Sequence, residues 1–360
     1  MNIGIPKERR PFEFRVGLTP AGVQMLVDHG HVCYVEHEAG LAAGFTDQEY
    51  ESAGARIAYS PQEVFGRADL LLKVARPTLE EIGWMRPGTA VAGLLHLTSA
   101  RQEKIEALLR SKITAIAFEQ VSLPDGTMPI RRPLAAIGGV MVPQIAARLL
   151  QIDFGGKGML LGGIVGVPPA EVVIVGAGVT GTAATKGFVG MGAHVTVLDT
   201  NINALQRLYD RFPNILTLIS NPVNLKRVLS YADVLVGAVL IPHQRAPIVI
   251  TREMVRLMKP RSIIIDMSID EGGCVETSRP TTHDRPTYIE EGVIHYCVPN
   301  IPSVIARTST YAYVNAAFPY IQELANKGIE RAIQEDPSLG IAVATHQGRA
   351  VNLSRLTPAE

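Results

Sequence analysis

Three ionisable side chains stand where an α/β chain ordinarily places apolar ones. Arg15, in EFRVGLTP, lies between Phe14 and Val16 just ahead of a helix cap. Lys73 interrupts the apolar run DLLLKV, and His96 sits inside TAVAGLLHLTS, a buried strand running into a turn. Each residue has two readings. A histidine titrating near neutrality gives and takes protons, yet the same ring also serves as a satisfied core residue. A guanidinium at position 15 either holds a carboxylate in a bidentate fork or joins a surface ion pair. Lys73 is either a functional buried ammonium, costly unless partnered, or the snorkelling head of an edge strand. Three such residues in one α/β unit point toward a common cleft at its strand ends.

A second chemical signal lies further along. VVIVGAGVTGTAATKGFVGMGAHVTVLD places Gly176, Gly178 and Gly181 in the spacing G-x-G-x-x-G directly after a strand, with a helix, a second strand and Asp199 following. The first glycine permits the tight turn, the second lets backbone approach a pyrophosphate, and the third lets helix meet strand. An acid about 20 residues on accepts from ribose hydroxyls. The helix N-terminus offers unpaired N–H groups and a partial positive charge to phosphate. The Asp199 carboxylate would repel a 2′-phosphate, which favours NAD over NADP. The glycines could instead serve only a tight strand-to-helix turn. Another adenine cofactor such as FAD is disfavoured because the motif is internal.

Those residues need elements to carry them. Short Val/Ile/Leu runs alternate with helix-period segments, as in parallel strands joined by crossover helices. HVCYVE, DLLLKV, AVAGLL and TAIAFE read as strands, and TPAGVQMLVDHG opens on Thr19 and Pro20 and stops at Gly30, as a capped helix does. LPDGTMPIRRP makes a turn, and LAAIGGVMVPQIAARLLQ reads as a helix despite its glycines and Pro143. From about residue 171 a second series begins: EVVIVGAG, HVTVLD, ILTLIS, VLVGAV and SIIIDMS are near-continuous apolar strands of a sheet covered on both faces. The tail from about 308 reads as a long amphipathic helix with no strands of its own, returning to the first domain.

Composition narrows the partners. Lys plus Arg equals Asp plus Glu at 34 each, so no net field favours nucleic acid or an anionic membrane face. Cys33, Cys274 and Cys297 are far apart without C-x-x-C spacing, which argues against a disulfide framework or zinc site and toward a reducing compartment. No metal is expected. The N-terminal MNIGIPKERR lacks the apolar core of a secretory signal, and the longest apolar tract is interrupted by Pro168, Pro169 and Glu171. The expected setting is cytoplasmic, with no membrane partner.

IGIPKE, EFRVGLTPAGV, LLLKV, LLHLTSAR, GGKGMLLGGIVGVPPAEVVIVGAG, ADVLVGAVLIP, IDEGGCVETSRPTTHDRPTY and TSTYA together resemble the alanine dehydrogenases, NAD-dependent enzymes related to the substrate-side subunit of proton-translocating transhydrogenase. The resemblance covers residue 3 to roughly Lys327. It implies oxidative deamination of L-alanine to pyruvate and ammonia, and the reverse amination. Arg15 and Lys73 would then hold the substrate carboxylate and carbonyl, His96 would be the general acid/base, and Asp270 in IIIDMSIDEGG the second essential acidic group. Asp266 is the runner-up for that last role, with a structural part more natural for it. The resemblance further implies cofactor contacts at Val179, Thr180, Asp199, Ser220, Val239, Leu240, Met267, Ser268, Ile269, Asp270, Arg279, Val298, Pro299, Asn300 and Ile301, beside the three glycines. It also implies a homo-oligomer, a hexamer.

Some positions depart from the family pattern. Where alanine dehydrogenases usually read P-M-S-E-V-A-G-R, this chain has Pro133-Leu134-Ala135-Ala136-Ile137-Gly138-Gly139-Val140. Arg131 and Arg132 replace usually uncharged residues, and Ala204 and Ala306 stand where a basic residue and a proline are usual. The two arginines either sit in a surface loop partnered by Asp125 or admit a second substrate carboxylate. The expected fold is α/β: two doubly wound Rossmann-like domains with a cleft between them. Residues 1–129 plus 306–360 would form a discontinuous substrate domain, and 130–305 the NAD-binding domain. The alternatives are an NAD-dependent dehydrogenase of another L-amino acid, or a non-catalytic NAD-binding or transhydrogenase-like protein.

Overall fold

A computed structural model describes residues 1–241 and 245–353. The chain divides into two compact units, one formed by Met1–Leu134 and the chain from Pro302 onward, the other by Ala135–Ile301.

The first unit is built on strands Asn2–Ile5 (β1), Val32–Glu36 (β2), Arg56–Ala58 (β3), Leu70–Ala75 (β4), Ala90–Leu94 (β5) and Thr114–Ala117 (β6). They run parallel, in the order β6-β5-β4-β1-β2-β3. β4 and β5 are buried along their whole length, as two covered faces require. Helix Pro20–Asp28 starts where expected: Thr19 Oγ1 accepts from Gly22 N at 3.2 Å and Pro20 opens the helix. Gly30, at φ 83°, lets the chain turn back toward β2.

The tail differs from the expectation of helix alone. Helix Ala306–Lys327 is followed by two short helices and then by strands Val343–His346 and Arg349–Ala350, which extend the same sheet antiparallel beyond β6. The first of these strands is only four residues long, too short for a period-2 pattern to stand out. What makes it a strand is the free edge of β6, where Thr345 is also tied by its hydroxyl to Ile113 O at 2.9 Å.

The second unit holds Glu171–Val175 (β7), His194–Asp199 (β8), Leu216–Ile219 (β9), Val234–Gly237 (β10), Ile263–Asp266 (β11), Thr287–Glu290 (β12) and Val293–Tyr296 (β13). The order is β12-β13-β11-β10-β7-β8-β9, all parallel except β12, which closes a hairpin with β13. Strand order reverses between β7 and β10, the switch point at which doubly wound sheets open a crevice. Helix Arg131–Leu149 contains Pro143 and its glycines. The glycines have a packing cause. A Cβ on Gly139 would lie 2.4 Å from Thr180 O, and one on Gly187 would lie 2.7 Å from the Pro143 ring, so this helix and helix Val179–Gly190 approach backbone to backbone. Arg131 and Arg132 are its first two residues, so they lie in a helix and not a loop; Asp125 accepts from Thr127 N at 2.8 Å, and that bond first, with the charge of exposed Arg132 after it, lowers its pKa. Among the described residues no helix is long and apolar enough to cross a membrane.

Candidate functional site

In the second unit, nearly every residue expected at a cofactor lies at the carboxyl edge of the parallel sheet. β7 runs into Gly176, whose φ of 113° is a glycine conformation, and Gly176 N donates to Leu198 O at 2.7 Å. Gly181 is obligatory for packing, because a Cβ there would sit 1.8 Å from Gly176 O. Gly178 is different: a Cβ there would meet nothing within 4 Å. It is the N-cap of the 12-residue helix Val179–Gly190 with no side chain capping the helix, so the first N–H groups face outward beside open space. That combination fits a phosphate approaching the helix end.

The neighbouring loops are tied edge to edge. Asp199 ends β8; its Oδ2 accepts from Ala177 N at 2.6 Å and its Oδ1 from Asn201 N at 2.8 Å, which leaves lone pairs for a further donor. Ser220, after β9, donates its backbone N–H to Asp199 O at 2.9 Å. After β10, Val239 exchanges two bonds with Ser268 Oγ, at 3.0 and 2.9 Å, and Leu240 is exposed. After β11 come half-buried Met267, buried Ile269 and exposed Asp270, whose Oδ2 accepts from Asn300 N at 3.3 Å. Val298, Pro299, Asn300 and Ile301 follow β13. Arg279 is the exception: it follows no parallel strand, and its guanidinium lies 3.8 Å over the Tyr288 ring. Asp266 is structural. Buried at the end of β11, its carboxylate accepts from the backbone N–H groups of Ser268, Cys274 and Val275 at 3.0 to 3.2 Å.

In the first unit two of the three anomalous side chains, Lys73 and Arg15, are explained by buried partners. Lys73 lies on β4, between β1 and β5, and is 0% exposed, which corrects the edge-strand reading. Its Nζ donates to Glu81 Oε1 at 2.9 Å and contacts Glu8 Oε2 at 3.1 Å off the hydrogen-bonding direction. Burial opposes the ammonium charge, but Glu8 and Glu81 outweigh it and raise the lysine pKa. Glu81 is itself set by a capping box with Thr78 at the start of helix Leu79–Trp84, and Glu8 Oε1 accepts from Val74 N at 2.6 Å. Arg15 is 4% exposed, so its ion pair is a buried one: Nε and Nη2 donate to the two Glu13 oxygens at 2.7 and 2.6 Å. Burial works against its charge as well, and Glu13 overcomes that.

His96 follows β5, half-buried, with φ 43° and ψ 46°, in the left-handed region. Among the described residues its ring nitrogens make no hydrogen bond. Burial first, then the guanidinium charges of Arg131, Arg76, Arg10 and Arg15, hold its pKa down at about 3, so the ring is a neutral base at pH 7. Its backbone is held from both sides. Glu119, 2% exposed, accepts from His96 N at 2.6 Å and Leu95 N at 3.0 Å, and Arg76 donates to His96 O at 2.7 Å. Burial raises Glu119 to about 7, against the pull of those N–H groups and Arg131. Glu8, Glu13, Glu81, Glu119 and Arg76 are participants that the sequence did not single out. The available signal was acid in apolar context, as in IGIPKE and TAIAFE.

An uncapped glycine turn at the switch point of one Rossmann-like sheet, and a neutral histidine among buried ion pairs on another, define a two-unit α/β protein of the dinucleotide-binding class. The chain belongs to the alanine dehydrogenase/PNT family: the family's N-terminal domain matches residues 4–138 and its C-terminal domain residues 142–353. It is 48% identical to an alanine dehydrogenase of Methanococcus maripaludis, covering 97% of this chain and 94% of that protein. It is 46% identical to one of Bacillus subtilis, covering 97% and 92%. Among solved structures, an L-alanine dehydrogenase superposes with a TM-score of 0.94 at 42% identity, covering 98% of this chain and 97% of that one. A transhydrogenase from Sinorhizobium meliloti superposes with a TM-score of 0.81 at 26% identity, covering 98% and 99%.

Proposed function

We propose that the protein is an NAD-dependent alanine dehydrogenase, converting L-alanine to pyruvate and ammonia and catalysing the reverse amination. The observation that carries this reading is 48% identity to an alanine dehydrogenase over 97% of the chain. The first unit takes the substrate and the second the dinucleotide. Gly178, Val179 and Thr180 would hold the phosphates of NAD and Asp199 its ribose, and the bound nucleotide would supply the hydride acceptor. Arg15 orients the α-carboxylate and Lys73 the amino or oxo group, so that positioning supplies much of the rate. The neutral His96 ring takes the proton that the substrate ammonium must lose before its α-hydrogen can leave as hydride. Once that proton has been released to solvent, the same ring takes a proton from the water that attacks the resulting imine and returns it to the amine nitrogen, which leaves as ammonia. Asp270, exposed beside Asn300, is the second acidic group of the reaction.

Other parts of the reading rest on separate observations. The free, buried cysteines suit a reducing cytoplasm. The exposed apolar residues around 164–167 suit burial against another copy of the chain, in a hexamer.

The test is NADH formation with a panel of L-amino acids, NADP run alongside, and NADH oxidation with ammonia and several 2-oxo acids. L-alanine and pyruvate should be fastest, glycine slower, and Asp199→Ala should lose the preference for NAD. A second reading draws on Arg131, half-buried and close enough for its charge to act on both His96 and Glu119. Such a cation would welcome a second carboxylate. Oxaloacetate aminated ten times faster than pyruvate, with the order reversed by Arg131→Ala, would replace the alanine assignment with that one.

A further inference from the structure

We propose that Glu119 is a positioning residue for His96: its buried carboxylate accepts the consecutive N–H groups of Leu95 and His96 and so holds the histidine in the left-handed backbone conformation that directs its ring. This rests on the reading of His96 as the proton carrier. Three observations converge on it. First, a φ of 43° is sparsely populated for a residue with a side chain, and it persists only where the surroundings over-determine it. Second, those surroundings are present on both sides of the residue. Glu119 takes the N–H at 2.6 Å, while the carbonyl accepts from Arg76 Nη1 at 2.7 Å and Ser99 Oγ at 3.1 Å. Third, the ring nitrogens of His96 have no hydrogen-bond partner among the described residues. Its direction is therefore inherited from its backbone, and the backbone from Glu119 and Arg76.

The location of Glu119 suits the task. It follows β6 in the short 3-10 segment Phe118–Gln120, and β6 pairs with β5, the strand that delivers Leu95 and His96. One carboxylate thus staples the ends of two adjacent strands. A residue needed only to satisfy two buried N–H groups would affect folding. A residue that aims the proton carrier affects turnover while leaving substrate and cofactor binding intact.

The experiment compares Glu119→Ala and Glu119→Gln with the intact protein and with His96→Gln. It measures kcat and KM for L-alanine, NADH binding by fluorescence, and fold by circular dichroism. A misdirected catalytic group loses turnover on the order of 100-fold. Glu119→Ala is therefore expected to lose about that factor in kcat, with KM and NADH affinity within about threefold. Glu119→Gln, whose amide oxygen still accepts one N–H, is expected to recover about tenfold of it. A kcat within twofold of wild type in Glu119→Gln, or a rise in KM matching the fall in kcat, overturns the proposal. Should Glu119→Ala not fold, the near-isosteric Glu119→Gln decides the matter alone.

A readout independent of activity separates this proposal from the reaction assignment. In protein labelled with ¹⁵N-histidine, the His96 amide proton is expected well downfield and moves upfield in Glu119→Gln. No movement overturns the clamp whatever the enzyme turns over. Turnover of L-alanine retained in His96→Gln overturns the role of His96 instead.

Discussion

At the scale of single residues, charge placement decides what His96 can do. Desolvation and the surrounding guanidinium groups both penalise the imidazolium, so the folded-state pKa lies at about 3, below the ordinary value. A histidine depressed in this way contributes stability that is present above its unfolded pKa and is lost as pH falls through the folded one. Across pH 5 to 8 the ring therefore remains neutral, and its carbon and nitrogen resonances are expected not to titrate. Arg131→Ala removes one of the repelling cations and should raise the midpoint toward the ordinary value. A wild-type midpoint near 6.5 would show that these charges do not act on the ring. Lys73 illustrates the opposite balance, an ammonium kept charged in the core because two carboxylates surround it.

Elements explain why two glycines of one fingerprint behave differently. Gly181 lies where helix meets strand, and a methyl there would meet Gly176 O at 1.8 Å. Gly178 lies at the open end of the same helix, where a methyl would meet nothing. Gly181→Ala is expected to lower the melting temperature sharply, since the clash is with backbone that cannot step aside. Gly178→Ala should melt like wild type yet bind NADH at least tenfold more weakly, because the methyl fills the space a pyrophosphate needs. Paired thermal melts and fluorescence titrations check both. Equal loss of stability in the two variants would mean that the turn is purely structural.

For the whole molecule, the exposed apolar surface needs a cover. Ile164 and Val167 pair across a tight hairpin and are 68% and 57% exposed, with Val165 between them fully exposed. Contiguous apolar residues of this kind mark association sites. The protein should run as an oligomer in light scattering, and Val165→Asp should shift it toward smaller species while each unit keeps its circular dichroism. A wild-type chain of monomer mass at micromolar concentration would remove the need for a cover.

Much of the fold was legible along the chain, because parallel strands buried on both faces are continuous apolar runs and the glycine spacing is a local backbone requirement. EVVIVGAG, HVTVLD and SIIIDMS announced β7, β8 and β11 for that reason, and Thr19 and Pro20 announced their helix. His96, Arg15 and Lys73 were conspicuous because a charge in an apolar run is costly. Their partners were not conspicuous. Glu119 meets His96 across 23 residues, and Tyr313 OH reaches Lys73 O across 240, pairings that only strand order and a returning helix bring about. The strands of the tail were hidden for the same reason: a four-residue segment has little pattern of its own and becomes a strand when β6 offers it an edge. Local backbone and solvation preferences are written residue by residue, whereas whether a buried charge is paired, and with what, is a property of neighbours that the chain acquires only on folding.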